Sequence, residues 1–279
     1  MQIIQKRKIF YIISLLIIIP GLVSLLFQGL NQGIDFKGGS ILHVKIDNAV
    51  TSAQVRTVLT EFDLDRGEVQ KSGDEFYIRT EVLSQERSNE IMQALGSKFD
   101  KVTFLSSDTV GATIGSELTR NAFLALGLAA LLMLIYITVR FEWTFGIAAV
   151  LAILHNVLVV LGVFSIMQWE INSAFVAAIL TVIGYSINDT IVIFDRVREN
   201  LKKNRRPDYQ DLLNTSIMQT LNRSINTVLT SAFTLLALLL LGGATIKFFV
   251  AAMLIGFAVG AYSSIFIASP LWYEIKKAV

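Results

Sequence analysis

The feature that most limits what this chain can fold into is a run of 22 residues, Ile9 to Leu30, without a charged side chain. At a rise of about 1.5 Å per residue, such a run gives roughly 33 Å of helix. That is enough to cross a hydrocarbon core of about 30 Å. Similar blocks follow near 122–139, 144–167, 171–194, 227–241 and 248–272, so six membrane spans are expected. Hydrophobic residues make up 53% of the chain and charged ones 16%, where about 25% charged is usual. A secretory leader also starts with basic residues, here Lys6, Arg7 and Lys8. Its apolar region is usually only about 7–15 residues and ends at a small-residue cleavage site, so the first block reads as a retained helix.

Lysine and arginine near span ends set orientation. Thirteen of them flank one side: Lys6–Lys8, Arg140, Arg196, Arg198, Lys202, Lys203, Arg205, Arg206, Arg223, Lys276 and Lys277. The two short links on the other side hold only Lys247. Both termini are therefore expected in the cytoplasm, with residues 31–120 outside. The expected division is residues 1–30 for the N-terminus and first span, 31–120 for the external domain and its linkers, and 121–279 for spans two to six. The last part includes a cytoplasmic loop at 195–226 and a cytoplasmic C-terminus. A net charge of +2 gives no footing for a nucleic-acid partner. The absence of cysteine removes disulfides, thiolate nucleophiles and cysteine metal clusters. No cofactor is expected.

The external segment alternates like a strand over Ser40–Ile46, with Leu42, Val44 and Ile46 on one face. A helix capped by Thr51 or Ser52 places Val55, Val58, Leu59 and Phe62 on one stripe. Extended runs near Gly67–Lys71 and Glu75–Val82 are joined by the turn Ser72-Gly73-Asp74. A second helix from Ser84 offers Ile91, Leu95 and Phe99, and Lys101–Leu105 closes the set as a strand. The order βαββαβ predicts a ferredoxin-like α+β domain, two helices over an antiparallel sheet. His43 falls on the polar side of the first strand and needs no functional reading.

Three motifs stand out. Gly33-Ile34-Asp35-Phe36-Lys37-Gly38-Gly39-Ser40 leaves the first span, and Val110-Gly111-Ala112-Thr113-Ile114-Gly115-Ser116-Glu117-Leu118 enters the second. The fourth span reads Gly184-Tyr185-Ser186-Ile187-Asn188-Asp189-Thr190. By residue type alone the glycine segments are tight linkers. Together, and over essentially the whole chain, these motifs resemble the SecD/SecF family of protein-export membrane proteins, of the resistance–nodulation–division superfamily. One departure is Ala112, where that family often has proline, which bears on linker stiffness.

The resemblance implies half of a pseudo-symmetric unit in the bacterial cytoplasmic (inner) membrane, with SecD as six-helix partner. It implies use of the proton (or sodium) motive force to drive late steps of polypeptide translocation beside the SecYEG translocon, with the SecA ATPase and YajC as further partners. Secreted polypeptides would be the substrates, and membrane lipid the surroundings. The family's linker residues fall on Gly33, Asp35, Phe36, Gly38, Gly39, Gly111, Gly115 and Glu117. Its ion-carrying aspartate falls on Asp189 and its intramembrane basic residue on Arg223.

Asp189 stands out independently as the one acidic residue clearly inside a span, since burying a carboxylate costs at least about 2.5 kcal/mol even on insertion scales. At 3.6 residues per turn, Thr181, Tyr185, Ser186 and Asp189 share roughly one face. Thr190 adds a further hydroxyl, and Asn188 lies about 100° away. Two readings stay open for Asp189: an ion carrier, or a hydrogen bond across a helix interface. Arg223 either tunes the carboxylate or snorkels to the interface. His155 and Asn156 read as interhelical hydrogen-bond partners, with an ion relay through His155 as the competing role. Pro207-Asp208 is expected to start a cytoplasmic helix with a Leu213, Ile217, Leu221, Ile225 stripe. The basic run at 202–206 is a topology signal or a contact for anionic lipid.

An enzyme is not expected, since an intramembrane aspartyl protease needs two facing carboxylates and the membrane region supplies one. The rival non-enzymatic functions are half of a small-molecule or lipid exporter of the same superfamily, and a passive assembly scaffold.

Overall fold

The structure is a computed structural model that describes residues 2–47, 49–64, 67–203 and 208–278. Arg205, Arg206 and Pro207, named above in the basic run and as a helix start, lie outside the described residues. The chain divides into two compact units, Met1–Asn31 with Phe123–Val279, and Gln32–Ala122. Among the described residues, six helices are long and apolar enough to cross a membrane.

The helical unit is built from α1 (Arg7–Phe27), α5 (Ala112–Arg140), α6 (Trp143–Met167), α7 (Ser173–Lys203), α8 (Tyr209–Leu241), and α9 (Lys247–Ser263) continued by α10 (Ser269–Ala278). Between α9 and α10, Ser264–Ala268 forms a π-helical turn. Helices without a hydrophobic drive toward one another pack where small residues let backbones approach. α1 and α6 meet at Gly21 and Gly162, where a Cβ on either would lie 2.8 Å from the other's Cα. α7 and α9 meet at Gly256 and Gly260, the latter leaving 3.1 Å from a would-be Cβ to the Ser186 Cβ. α1 and α5 instead expose large apolar side chains such as Leu16, Leu26, Phe123 and Val139. That is the surface a lipid-facing helix presents.

The expected cytoplasmic helix and span five are one continuous element: α8 is a single helix of 33 residues. No glycine or proline interrupts it between its cap, Asp208, which accepts from the Gln210 amide at 2.8 Å, and Gly242. The expected stripe twists away. Steps of four residues drift about 40° each around a helix, so Leu213 and Ile217 are buried while Ile225 is exposed.

The second unit contains a helical turn α2 (Ile34–Lys37), then β1 (Gly39–Lys45), α3 (Ser52–Thr60), β2 (Glu68–Ser72), β3 (Glu75–Thr80), α4 (Gln85–Lys98) and β4 (Thr103–Val110). The sheet order is β2-β3-β1-β4, every neighbouring pair antiparallel. Thr51 caps α3 in a reciprocal box with Gln54, and Ser84 caps α4 by accepting from the Arg87 amide at 3.3 Å. The alternating side chains Leu42, Val44, Phe76 and Ile78 meet Val55, Val58, Leu59, Ile91 and Leu95 in one core. β4 runs five residues beyond its expected end at Leu105, because Ser106–Thr109 pair with β1 without contributing an apolar face. His43 is half-buried, stacked on Tyr77 with its Nε2 3.0 Å from Glu75 Oε2.

The two glycine segments, separate in sequence, pack on each other. Gly39 has φ +139°, and a Cβ there would lie 2.5 Å from the Thr80 carbonyl oxygen, so only glycine fits. A Cβ at Gly115 would lie 2.9 Å from the Phe36 carbonyl oxygen.

An exposed ion pair gives this unit a pH signature. The Lys45 ammonium lies 2.6 Å from Asp74. Its hydrogen bond holds the Asp74 carboxyl below the ordinary carboxylate value and raises Lys45 above the ordinary lysine value. Asp74 therefore contributes stability above the unfolded value of 3.8, lost as pH falls through the lower folded value. Lys45 contributes below the unfolded value of 10.5, lost as pH rises through the higher folded value. Lys45→Gln is expected to lower the melting temperature of the isolated unit slightly at pH 7 in low salt. The difference should close in acid and in high salt, as thermal unfolding across pH will show; an unchanged difference in acid removes the ion pair as its cause.

Candidate ion-coupling site

α7 carries the site because its apolar faces are interrupted at one turn by Tyr185, Ser186, Asn188, Asp189 and Thr190. The structure splits these residues between two sides of the helix. Tyr185 and Asp189, four residues apart, face α8. The Tyr185 hydroxyl donates to the Thr227 carbonyl at 2.7 Å, with Ser231 Oγ at 3.1 Å, and its ring stacks on Phe257 at 3.8 Å between centroids. Asp189 is 7% exposed. Its Oδ1 accepts from Ser224 Oγ on α8 at 2.6 Å, and its Oδ2 has no hydrogen-bond partner among the described residues.

Ser186 and Thr190 face the other way, toward α6 and α9. Asn156 Nδ2 donates to Ser186 Oγ at 2.7 Å, and Thr190 Oγ1 lies 2.8 Å from Ser264 Oγ in the π turn. Thr181 is exposed and donates to the Ala177 carbonyl within its own helix. The single face expected for Thr181, Tyr185, Ser186 and Asp189 is thus divided, because positions 185/189 and 186/190 lie about 100° apart. Asn188 is exposed.

Arg223 precedes Ser224 on α8, is exposed, and makes no ion pair with Asp189. It lines a cavity of about 510 Å³ with Tyr136, Arg140, Asp195, Arg196 and Glu199. Within that cavity Arg196 is held 2.6 Å from Glu199. The partner that the sequence did not single out is Ser224. A lone buried carboxylate demands a donor, but α8 offers many hydroxyls and only helix packing selects one. Among the described residues, no group of three or more His, Cys, Asp or Glu could hold a metal ion.

An ionised carboxylate with one oxygen unpartnered is costly in an apolar surrounding. Taking up a proton or a small cation relieves that cost, and releasing it restores the charge. The bond to Ser224 places this carboxylate at the seam between α7 and α8.

Of the linker residues, Gly38 (φ +77°) and Gly39 form the bend into β1. Gly33 precedes α2, which contains Asp35 and Phe36. Gly111 separates β4 from α5, whose first turns hold Gly115 and the exposed Glu117.

Comparison with known proteins gives one consistent result. Residues 90–278 match the description "Protein export membrane protein SecD/SecF, C-terminal", and residues 23–50 match the "SecD/SecF GG Motif". The protein translocase subunit SecF of Acidaminococcus fermentans is 44% identical over 99% of this chain and 97% of its own. The protein translocase subunit SecDF of Bacillus subtilis is 39% identical over 98% of this chain and 38% of its own length. A crystal structure of SecDF from Thermus thermophilus, a translocon-associated membrane protein, superposes with a TM-score of 0.93 at 37% identity. That likeness covers 99% of this chain and 39% of that one, so the chain spans about two fifths of the SecDF proteins.

Proposed function

This chain belongs to the SecD/SecF family of protein-export membrane proteins, and from that premise we propose that it is a subunit of Sec protein export that couples an ion gradient to polypeptide translocation through Asp189. The observation that carries the coupling is the buried carboxylate whose Oδ1 bridges α7 to α8 while its Oδ2 stays unpartnered. Loading Asp189 with a proton or sodium ion removes its charge or balances it, and the α7–α8 seam is the element that responds. Vesicles containing the complex and the translocon test this directly. An imposed ion gradient should speed release of a translocating polypeptide, and identical rates with and without the gradient reject the coupling.

SecD is the proposed partner. SecDF relatives carry a region like this chain within one longer polypeptide. The amide of Asn188 is exposed on a membrane-spanning helix, where lipid tails supply no hydrogen bonds. Expressed alone, the chain is expected to aggregate on extraction; expressed with SecD it should purify as a stable complex. A well-behaved, active monomer on size-exclusion chromatography would count against the partner.

We read the α+β unit as a ferredoxin-like domain, supported by its sheet order, and place it on the external side with both termini cytoplasmic, supported by the lysine and arginine distribution. Its role is to handle or dock the emerging polypeptide beside SecYEG, with SecA and YajC as further partners of the machine.

A further inference from the structure

A second set of buried polar groups lies behind α7, and the proposed coupling leaves it unused. Ser14 on α1, His155 and Asn156 on α6, and Ser186 on α7 are all buried. They form one chain of hydrogen bonds: Ser14 Oγ to His155 Nε2 at 3.0 Å, His155 Nδ1 to Asn156 Oδ1 at 3.1 Å, and Asn156 Nδ2 to Ser186 Oγ at 2.7 Å. The direction of each bond follows from its neighbours. Because the Asn156 amide nitrogen donates to Ser186, its oxygen must accept, so His155 Nδ1 carries a proton. A neutral ring then leaves Nε2 as an acceptor for the Ser14 hydroxyl. Tyr262 on α9 lies 3.3 Å from Ser14 Oγ and donates to the Phe10 carbonyl at 2.9 Å. None of the hydrogen-bond partners of His155 is charged.

At its other end the chain meets a turn of α7 that is gripped from three sides. Asn156 holds the Ser186 hydroxyl, Gly260 of α9 brings its backbone against the Ser186 Cβ, and Thr190 and Ser264 set their hydroxyls 3.1 and 3.3 Å from the Ser186 carbonyl. Ser264 opens the π turn, a deviation frequent where helices serve function. Ser186 and Thr190 bracket Asp189 in sequence. Whatever fixes them fixes how far Asp189 reaches toward Ser224.

We propose that His155 and Asn156 are positioning residues for Asp189, acting through Ser186, and that they tie the Asp189 turn of α7 to α1. His155 serves as a shaped donor and acceptor and not as an ion relay. The inference rests on the ion-coupling reading for its consequence in export, while its structural claim stands separately.

The test uses the full complex with SecD in vesicles. The variants are Asn156→Leu, which keeps size and removes both bonds, Ser186→Ala, which removes one hydroxyl, His155→Leu and His155→Gln. Two quantities are read. One is the infrared stretch of the Asp189 carboxyl or carboxylate, identified by its loss in Asp189→Asn. The other is the ion gradient giving half-maximal stimulation of export. Asn156→Leu, His155→Leu and Ser186→Ala are expected to shift the Asp189 band. They should also move the half-maximal gradient by about twofold or more, the low end of what one lost hydrogen bond changes in an equilibrium. His155→Gln should match wild type in both, since its amide can donate to Asn156 and accept from Ser14.

An unshifted Asp189 band in both Asn156→Leu and Ser186→Ala overturns the proposal. So does a His155→Gln variant as impaired as His155→Leu, which would make imidazole titration the relevant property. If Asp189→Asn retains full gradient stimulation, the coupling reading fails, and the infrared band alone still decides whether Asn156 and His155 position Asp189.

Discussion

Asp189→Asn is expected to leave the SecD complex intact and to abolish ion-driven stimulation of export. Asparagine preserves the volume, and its Oδ1 can accept from Ser224 Oγ as the carboxylate does at 2.6 Å. The α7–α8 bond therefore survives, and the change is confined to charge. A potential of about 100 mV does about 2.3 kcal/mol of work on one elementary charge, close to a fiftyfold bias in a two-state equilibrium. A side chain that cannot ionise forfeits that bias. Asp189→Glu keeps the charge and shifts its place by one methylene, so partial stimulation should remain. Arg223→Ala removes the cation that directly precedes Ser224, the hydrogen-bond partner of Asp189, and should weaken stimulation without dissociating the complex. A passive scaffold predicts the reverse order for the first two variants, since asparagine preserves an interhelical bond better than glutamate. Export from vesicles, with and without an imposed gradient and at matched protein level, separates the two. Wild-type stimulation in Asp189→Asn ends the ion-carrier reading.

The sequence made Asp189 conspicuous because one carboxylate in an apolar block has no bland explanation of equal weight. It could not supply Ser224. The stretch Thr215 to Thr234 contains eight serines and threonines, and several of them, including Thr220, Thr227 and Thr230, bond to carbonyls of their own helix. Choosing the one that reaches Asp189 requires the rotation of α8 about its axis, which local pattern does not encode. The same limit explains the single polar face that the structure divides: spacing gives angles around α7, and only the neighbours decide where one face ends. By contrast, the core of the α+β unit was legible. Alternation in β1 and the 3.6-residue stripe in α3 each name residues that the structure buries together. β4 was half legible, because Phe104 and Leu105 look like a strand while Ser106–Thr109 do not. Those four residues belong to the strand through backbone pairing with β1, an interaction that leaves no mark in side-chain pattern. The continuity of α8 was open to reading, since no helix breaker interrupts it.

Leu59→Ala is expected to produce the largest loss of stability in the α+β unit among single truncations in its two helices. Leu59 is fully buried in the core with Leu42, Val58, Phe76 and Ile91. Removing it takes away apolar burial and leaves a cavity that the sheet behind it closes only partly. Such changes cost about 2–5 kcal/mol, a large share of the roughly 5–15 kcal/mol that holds a domain together. Each kcal/mol moves the midpoint by about 4–8 °C in a domain of this size, so a fall of at least about 8 °C is expected. Phe62, one turn on, is only partly buried at the edge of the same core, and Phe62→Ala should cost less despite the larger side chain. The fragment used for the measurement has to include β4 to its end. Residues 31–112 retain the full β1–β4 ladder, whereas a fragment stopping at Leu105 would remove the β4 partners of Gly39 to His43 and leave only the pairing with β3, and should be less stable. Cysteine is absent, so reductant should change neither curve. Urea unfolding with a shared slope for the wild-type fragment and both variants gives the comparison. Equal losses for Leu59→Ala and Phe62→Ala would refute this arrangement of the core, and a collapsed, featureless NMR spectrum from residues 31–112 would refute independent folding of the unit.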